Sequence, residues 1–329
     1  MKYEEQLETK QHILIEQLSR IAGVIAPPVQ PIIPSPSIWN YRNTIQFHLS
    51  GNGKLGFQQL HARETIEIQE CHLPEETINK VWQCIQIEPS SGIKKVTLRT
   101  GSNQDILLVL ESDISTPPEF SVDFPISAVF LTADGATVLS GDDHIVMSVC
   151  GKLFRVSVGS FFQVNTAQAE KLIQLLLQMI SLKNHPVVLE LYSGVGLFTA
   201  FLAEQASKCI AIEVSPSACN DFVWNLDQFD NVLLYMGSVD QVLAGLDIEC
   251  ADVIVVDPPR AGLSNLALNH IEKLRPNEIA YISCDPATLA RDIRHLISAG
   301  YRLEQITPVD LFPQTYHIES ISLLRKISA

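Results

Sequence analysis

Long uninterrupted apolar runs are absent from the sequence. The longest candidate, Leu172–Leu182, is interrupted by Gln174 and Gln178 and is shorter than the roughly 20 residues that a membrane helix needs. The first ten residues are charged and contain no apolar signal region. We therefore expect neither a membrane segment nor a secretory leader.

Cysteine and charge are also sparse. The seven cysteines are scattered without regular spacing, which argues against a secreted disulfide scaffold and favours a reducing cytosol. Only 18% of the residues are charged while 46% are hydrophobic, so we expect a substantial core and little disorder. A chain of 329 residues exceeds one typical domain and predicts two.

Basic residues are outnumbered by acidic ones, which gives a net charge of -14. Nucleic-acid-binding proteins usually carry a basic patch that offsets phosphate charge, so composition alone does not indicate RNA. A local patch is compatible with the basic residues of the first third, Arg42, Lys54, Arg63, Lys94, Lys95 and Arg99.

The first half of the chain predicts a helix, a linker and a mixed domain. Leu7, Leu14, Leu18 and Ile21 recur at helical spacing, and five prolines follow between residues 27 and 36. Two hairpin signals and an intervening helical stretch then predict an α+β domain. The predicted bounds are 1–25 for the helix, 26–36 for the linker, 37–155 for the α+β domain and 156–329 for the remainder.

The second half alternates short apolar runs with helical stretches, which predicts a doubly wound α/β domain with a parallel sheet. The predicted strands are Val187–Leu191, Cys209–Glu213, Val232–Tyr235, Val253–Asp257 and Ile279–Ser283.

The first of these strands runs into a loop with two glycines, Gly194 and Gly196, and the second ends at Glu213. In such sheets a nucleotide binds beyond the carboxyl ends of the strands, where glycine lets the backbone approach it and an acid accepts hydrogen bonds from the ribose hydroxyls. The dinucleotide fingerprint has a third glycine where Thr199 stands. We therefore favour S-adenosylmethionine, with a nicotinamide cofactor and a ligand-free glycine turn as alternatives.

Two further strands end in residues suited to chemistry. Asp257-Pro258-Pro259-Arg260 resembles a tetrad of amino-nitrogen methyltransferases, but Arg260 stands where their aromatic residue stacks on the base. Cys284 follows the fifth strand at the same predicted sheet edge. A buried structural cysteine is the alternative to a nucleophile here.

A thiolate that adds to C6 of uracil activates C5 toward a methyl donor, and cysteine suits this step. A base must then remove the C5 proton, and Glu319 is the candidate, although a lone carboxylate near a terminal strand is more often a surface group. The prediction depends on Cys284, Asp257 and Glu319 lying together.

The motifs together resemble the RNA (uracil-5)-methyltransferase family. The matching segments, in order, are SFFQVN (160–165), LELYSGVGLFT (189–199), VVDPPRAGL (255–263), SCDPATLARD (283–292) and HIES (317–320), and YRNTIQFHL (41–49) and KLGFQ (54–58) resemble its central domain. The resemblance implies a Rossmann-like class I methyltransferase domain, with a seven-stranded and mostly parallel sheet, preceded by a smaller α+β domain that contacts RNA.

The resemblance also implies site residues and partners. Cys284 is the implied nucleophile and Glu319 the implied base, and Asp257 is also given a contact with the uracil edge. Contacts with S-adenosylmethionine are implied for Gln163, Tyr192, Gly194, Glu213, Ser238 and Asp257. The implied substrate is a structured RNA, ribosomal or transfer, with ribosomal RNA favoured, and a monomer is the default.

The chain departs from the family pattern at two places. Some relatives have Asn where Leu197 stands, so one polar contact with the donor is expected to be missing. Many relatives begin with a small RNA-binding β-barrel and three cluster cysteines, whereas here Cys71 alone resembles a ligand. Since an iron–sulfur cluster needs about four thiolates, we predict none, and no other metal. A non-catalytic RNA-binding relative stays open as an alternative function.

Overall fold

The structure, a computed structural model, describes residues 1–59, 64–119, 121, 124–245 and 250–327, so Arg63 lies outside the described residues. The helices are α1 (Tyr3–Gln17), α2 (Glu76–Trp82), α3 (Thr166–Met179), α4 (Thr199–Leu202), α5 (Pro216–Asn225), α6 (Val239–Gly245), α7 (Asn265–Leu274) and α8 (Pro286–Ser298). The first nine strands are β1 (Thr44–Leu49), β2 (Leu55–Gln58), β3 (Thr65–Glu67), β4 (Ile93–Thr100), β5 (Ile106–Ser112), β6 (Ser127–Thr132), β7 (Gly135–Ser140), β8 (His144–Val149) and β9 (Lys152–Ser157). The others are β10 (Val187–Leu191), β11 (Lys208–Glu213), β12 (Val232–Met236), β13 (Val253–Val256), β14 (Glu278–Ser283), β15 (Tyr301–Val309) and β16 (Glu319–Lys326).

The chain divides into two compact units. One combines Met1–Ile38 with Ala167–Ala329, and the other is Trp39–Thr166. The N-terminal residues therefore pack with the C-terminal unit, whereas the sequence predicts a linear order of domains with boundaries at 36/37 and 155/156.

The unit formed by both termini contains a seven-stranded sheet in the order β12-β11-β10-β13-β14-β16-β15. Strands β10 to β14 pair in parallel with their neighbours, whereas β16 lies antiparallel between β14 and β15. Strand β13 is continuously apolar and β10 is apolar except for Glu190, as is typical of parallel strands that are buried on both faces. The predicted seven-stranded, mostly parallel, Rossmann-like sheet is confirmed.

Helix α1 completes one face of this unit. It continues into a π-helical turn, Leu18–Ala22, and stops at Gly23, which adopts a left-handed conformation with φ 72°. Leu14 and Leu18 are fully buried in the same hydrophobic cluster as residues of β10, β13 and α8. The apolar stripe of the first helix is thus part of the core around the parallel sheet.

The proline-rich segment, predicted as a linker, lies along the edge strand β15. Val29 and Ile33 form parallel bridges with Ile306 and Val309, and the Ile33 amide donates to the Pro308 carbonyl at 2.9 Å. The segment therefore covers an edge that would otherwise expose unpaired backbone groups.

The unit Trp39–Thr166 is built on a second seven-stranded sheet, in the order β3-β2-β1-β4-β5-β6-β7, and a separate β8–β9 hairpin. Phe47 of β1 and Trp82 of α2 lie with their ring centroids 5.1 Å apart in its core. Across the described parts of both units, no helix combines the length and apolar character that a membrane span requires.

A buried ion pair attaches α1 to the loop between β15 and β16. The Lys10 ammonium donates to Asp310 at 2.6 Å and to the Phe312 carbonyl at 2.9 Å, and both charged side chains are at most 5% exposed. The Tyr3 hydroxyl donates to the other Asp310 oxygen at 2.8 Å. Helix α1 therefore fixes the beginning of this loop.

We expect Lys10→Met to lower the free energy of unfolding by about 3–5 kcal/mol, because it leaves the Asp310 carboxylate buried without its cation. Urea unfolding of the full chain measures the loss. Arg20→Met is the matched control, since Arg20 pairs with Glu16 at 2.8 Å on the exposed helix surface, where a pair contributes about 0.5 kcal/mol. Equal losses in the two variants would contradict this role.

Candidate active site

The first component of the site is the loop after β10. Tyr192, Gly194 and Gly196 all have left-handed φ values of 64°, 55° and 87°. A Cβ at Gly196 would lie 2.6 Å from a Leu226 methyl, whereas one at Gly194 would meet no atom within 4 Å. The second glycine is thus required by packing, and the first leaves open space at the carboxyl edge of the sheet.

Glu213, the last residue of β11, holds this loop. One of its carboxylate oxygens accepts from the Gly194 amide at 2.8 Å, and the other accepts from the amides of Val214 and Ser215, both at 2.8 Å. A carboxylate offers about four acceptor positions, so these three bonds leave capacity for one further donor. Glu213 is half-buried and remains accessible to a ligand.

Glu190 lies beneath the same loop. It is 2% exposed and accepts a hydrogen bond of 2.5 Å from the Thr199 hydroxyl. Burial, with the nearby charges of Asp257 and Glu213, raises the pKa of Glu190 to about 8. Thr199, which stands where the dinucleotide fingerprint has its third glycine, thus joins the start of α4 to β10.

The loop after β13 carries Asp257 and is held by the end of the SCDPATLARD motif. Arg291 of α8 donates to the carbonyls of Ala261 and Leu263, both at 3.0 Å, and Asp292 accepts from the Leu263 amide at 2.8 Å. A Cβ at Gly262 would lie 2.6 Å from both the Arg291 and Asp292 side chains. Two of the sequence motifs are therefore one structural unit.

Cys284 follows β14 directly and precedes α8. Asp285 caps that helix by accepting from the Ala287 and Thr288 amides at 3.0 and 2.9 Å. The Cys284 thiol is free and half-buried, and Cys284 immediately precedes the residue that caps α8.

The antiparallel register brings Glu319 and Cys284 to the same end of two neighbouring strands. Ser283 of β14 and Ser320 of β16 are the last pair of this ladder, so Cys284 and Glu319 each lie one residue beyond it, and the Glu319 charge acts on the Cys284 thiol. Glu319 is 5% exposed. The structure thus brings together the cysteine and the carboxylate that the sequence selects.

Burial raises the pKa values of all three groups, and charges within the site add to the shifts of Glu319 and Cys284. Burial raises the pKa of Asp257 to about 7, and burial and the Asp257 charge raise the pKa of Glu319 well above its usual value. Burial, followed by the charges of Glu319 and Asp257, raises the pKa of Cys284 to about 11. The Arg260 charge acts in the opposite direction on Cys284 and Glu319.

Arg260 and His317 are site residues that the sequence interpretation missed. The Arg260 guanidinium lies 3.1 Å from Nδ1 and 3.3 Å from Nε2 of His317. The sequence contained one signal for Arg260. Its positive charge directly follows Asp257-Pro258-Pro259, after a strand that ends at the same edge of the sheet as the strand before Cys284.

Two predicted cofactor residues have other partners in the structure. Ser238 follows β12 and donates to the Gln241 side chain at 2.9 Å, which places it at the start of α6. Gln163 is buried in the other compact unit, where its carbonyl accepts from Asn43 at 2.9 Å. The described residues contain no group of three or more His, Cys, Asp or Glu side chains that could hold a metal, and the absence of a cluster at Cys71 stays a prediction.

Comparison with known proteins gives the family. The family model described as tRNA (uracil-5-)-methyltransferase matches residues 142–327, which include β10 to β16 and every candidate residue named above. An uncharacterized RNA methyltransferase of Aquifex aeolicus is 33% identical over 98% of this chain and 80% of its own length. Another, of Halalkalibacterium halodurans, is 31% identical over 98% of this chain and 79% of its own.

The chain belongs to the tRNA (uracil-5-)-methyltransferase family. This confirms the predicted resemblance, the RNA methyltransferase class and S-adenosylmethionine as the cofactor. The tRNA (uracil-54, C5)-methyltransferase of Pyrococcus abyssi, solved with S-adenosyl-L-homocysteine, aligns with a TM-score of 0.79 over 98% of this chain and 84% of that one. At 24% identity this likeness supports the class I methyltransferase fold.

We expect Arg260→Met to slow alkylation of Cys284 by iodoacetamide at every pH below about 11, because loss of the cation raises the pKa of the thiol further. Glu319→Gln should have the opposite effect, because it removes a negative charge. Mass spectrometry of the Cys284 peptide from pH 7 to pH 10 measures the rates, with exposed Cys84 as the internal reference. Arg302→Met, at an exposed pair with Glu304, is the control, and an unchanged rate in Arg260→Met would contradict the assignment.

Proposed function

We propose that this methyltransferase modifies C5 of a uridine in structured RNA, with Cys284 as covalent nucleophile and Glu319 as the base. The observation that supports the proposal is the β14–β16 register, which ends beside both residues at Ser283 and Ser320, together with the electrostatic interaction of the Cys284 thiol with buried Glu319 and with Asp257. A nucleophile and a base within reach of one reacting ring are the minimum that this chemistry requires.

The residues around the β10 loop fit S-adenosylmethionine. Gly194 borders open space, and Glu213 keeps acceptor capacity for a ribose hydroxyl. Carboxylates at Glu213 and Asp257 suit a cationic ligand that has no phosphate. We propose Tyr192, Gly194, Glu213, Ser238 and Asp257 as its contacts in this unit, and the contact of Gln163 stays a prediction from the sequence. When bound, S-adenosylmethionine supplies an electrophilic methyl group.

Cys284 performs the activating step. Its thiolate sulfur bonds to C6 of the uracil, and the C5–C6 π pair moves toward O4, so that C5 becomes nucleophilic toward the methyl group. The thiol must first lose its proton to solvent, and the Arg260 charge favours the thiolate against burial and the charges of Glu319 and Asp257, which raise the pKa of Cys284. Asp257, whose pKa of about 7 lets it hold a proton at neutral pH, can hydrogen-bond the uracil edge in either protonation state.

Glu319 completes the turnover. Its carboxylate takes the proton from C5 after methylation, the C5–C6 double bond re-forms, and the C6–sulfur bond breaks to release the Cys284 thiolate. A carboxylate with a raised pKa is a stronger base once it is ionised. The product is 5-methyluridine.

The remaining alternatives differ in what they require of these residues. A non-catalytic RNA-binding relative has no use for a thiol near a buried acid, and membership of a methyltransferase family argues against a nicotinamide enzyme. The choice between ribosomal and transfer RNA, the monomeric state and the cytosolic location stay predictions.

The first test is covalent trapping on RNA that contains 5-fluorouridine. We expect incubation with S-adenosylmethionine and unmodified transfer-RNA or ribosomal-RNA transcripts to leave an adduct on Cys284, because fluorine at C5 cannot leave as a proton does. Mass spectrometry of the intact protein and of its peptides detects it. Cys284→Ala should form none, and an adduct on another residue would refute the mechanism.

Glu319→Gln separates addition from release. With ordinary uridine and S-adenosylmethionine this variant should accumulate a methylated adduct at Cys284, because the thiolate cannot leave until C5 loses its proton. Single-turnover quenching on a denaturing gel measures the trapped fraction. Normal turnover by Glu319→Gln would remove Glu319 from the role of base.

We expect Glu213→Gln to weaken S-adenosylmethionine binding by about tenfold or more, since charge-assisted hydrogen bonds contribute roughly 1.5–3 kcal/mol. Calorimetric titration of the full chain measures the Kd. Asp230→Asn, an acid on the exposed surface of the same unit, is the control and should leave the Kd unchanged. Equal affinities in both variants would exclude Glu213 as a cofactor ligand.

A further inference from the structure

The loop between β15 and β16 presents an aromatic ring to solvent. Tyr316 is 80% exposed, yet Glu319, three residues later, is 5% exposed. The loop therefore runs from the protein surface to the proposed base within one short segment. The Tyr316 ring thus lies on the surface while Glu319 lies in the interior.

Tyr316 is the outer member of a row of side chains that leads to the proposed nucleophile. Its ring centroid lies 4.3 Å from that of His317, and the Arg260 guanidinium lies 3.1 Å from the His317 ring. Arg260 in turn interacts electrostatically with Cys284 and Glu319. The exposed ring is thus linked through His317 and the Arg260 cation to the proposed nucleophile and base.

Hydrogen bonds hold the loop in this position. The Gln6 side chain of α1 donates to the Gln314 side chain at 2.9 Å and accepts from the Gln314 amide at 3.1 Å. Within the loop, the Thr315 hydroxyl donates to the Phe312 carbonyl at 2.8 Å and accepts from the His317 amide at 3.3 Å. Hydrogen bonds fix the backbone on both sides of Tyr316. Binding of a ligand that stacks on the ring therefore costs little conformational entropy of the loop.

We propose that Tyr316 is a stacking platform for a nucleobase that neighbours the target uridine, with His317 and Arg260 supporting the ring. The inference rests on the proposed function. A uridine that is moved out of its helix or loop leaves its neighbours unstacked, and an aromatic face accepts any base because every base has a π-face. Stacking also contributes affinity without cationic surface, which suits a chain whose net charge is -14.

The test compares Tyr316→Phe, Tyr316→Trp, Tyr316→Leu and Tyr316→Ala in steady-state methylation of whichever transcript the wild type modifies. Loss of one base–aromatic stack corresponds to about a 5- to 150-fold increase in KM for RNA. We expect this increase in the Leu and Ala variants, with kcat and the Kd for S-adenosylmethionine within about twofold of wild type. The Phe and Trp variants should keep the wild-type KM. Trp224→Ala, at a 54% exposed aromatic side chain at the far end of α5, is the control and should leave KM unchanged.

Two results would overturn the inference while leaving the proposed function intact. One is an unchanged KM in Tyr316→Ala, and the other is a wild-type KM in Tyr316→Leu, which would indicate an apolar contact in place of stacking. By contrast, a wild-type protein that forms no 5-fluorouridine adduct with either transcript would overturn the proposed function and this inference together.

Discussion

Strand β16 runs antiparallel to β14, so its first residue, Glu319, lies at the sheet edge where β14 ends and Cys284 follows. If β16 ran parallel to β14, its first residue would lie at the opposite edge and the acid could not lie near the thiol. Strand β15 ends at that same edge, since Val309 pairs with Glu319. The loop with Tyr316 and His317 is therefore confined beside the site. The direction of β16 thus determines that Glu319 lies near Cys284.

The carboxyl ends of the strands around Cys284 bring several carboxyl groups close together. Glu190, Asp257 and Glu319 all have raised pKa values, and burial is the first cause in each case. Shifted carboxyl groups of this kind cluster at functional sites, because a fold selected for stability alone would avoid them. On the proposed function, a cationic methyl donor would favour the ionised forms of nearby carboxylates. Cofactor binding and readiness of the base would then be coupled.

Local signals predicted the strands and loops of the site, because buried parallel strands are continuously apolar and the positions of their ends follow from the sequence. Contacts between distant segments were not predictable in this way. The apolar stripe of α1 predicts that Leu14 and Leu18 are buried, but not that this helix packs against α8. From the sequence, Arg260 was interpreted only as a substitution for an aromatic residue. Its contact with His317 could not be predicted, because the two residues are far apart in the chain and meet only in the fold. Likewise, the contact of Arg291 and Asp292 with the loop after Asp257 explains why that motif extends into α8.

The formal charge of -14 is a poor measure of what an RNA meets at this site. It counts every carboxylate as ionised, yet the pKa of Glu190 is about 8 and that of Glu319 is raised well above its usual value. Asp310 is buried against Lys10, and the Glu278 side chain is 9% exposed beside Arg325. Charges separated by more than a Debye length, about 8 Å at physiological salt, are largely screened from each other. On the inference drawn for Tyr316, recognition of RNA would depend on exposed groups near the site such as Arg260 and Tyr316, and the sum over the whole chain would not decide it.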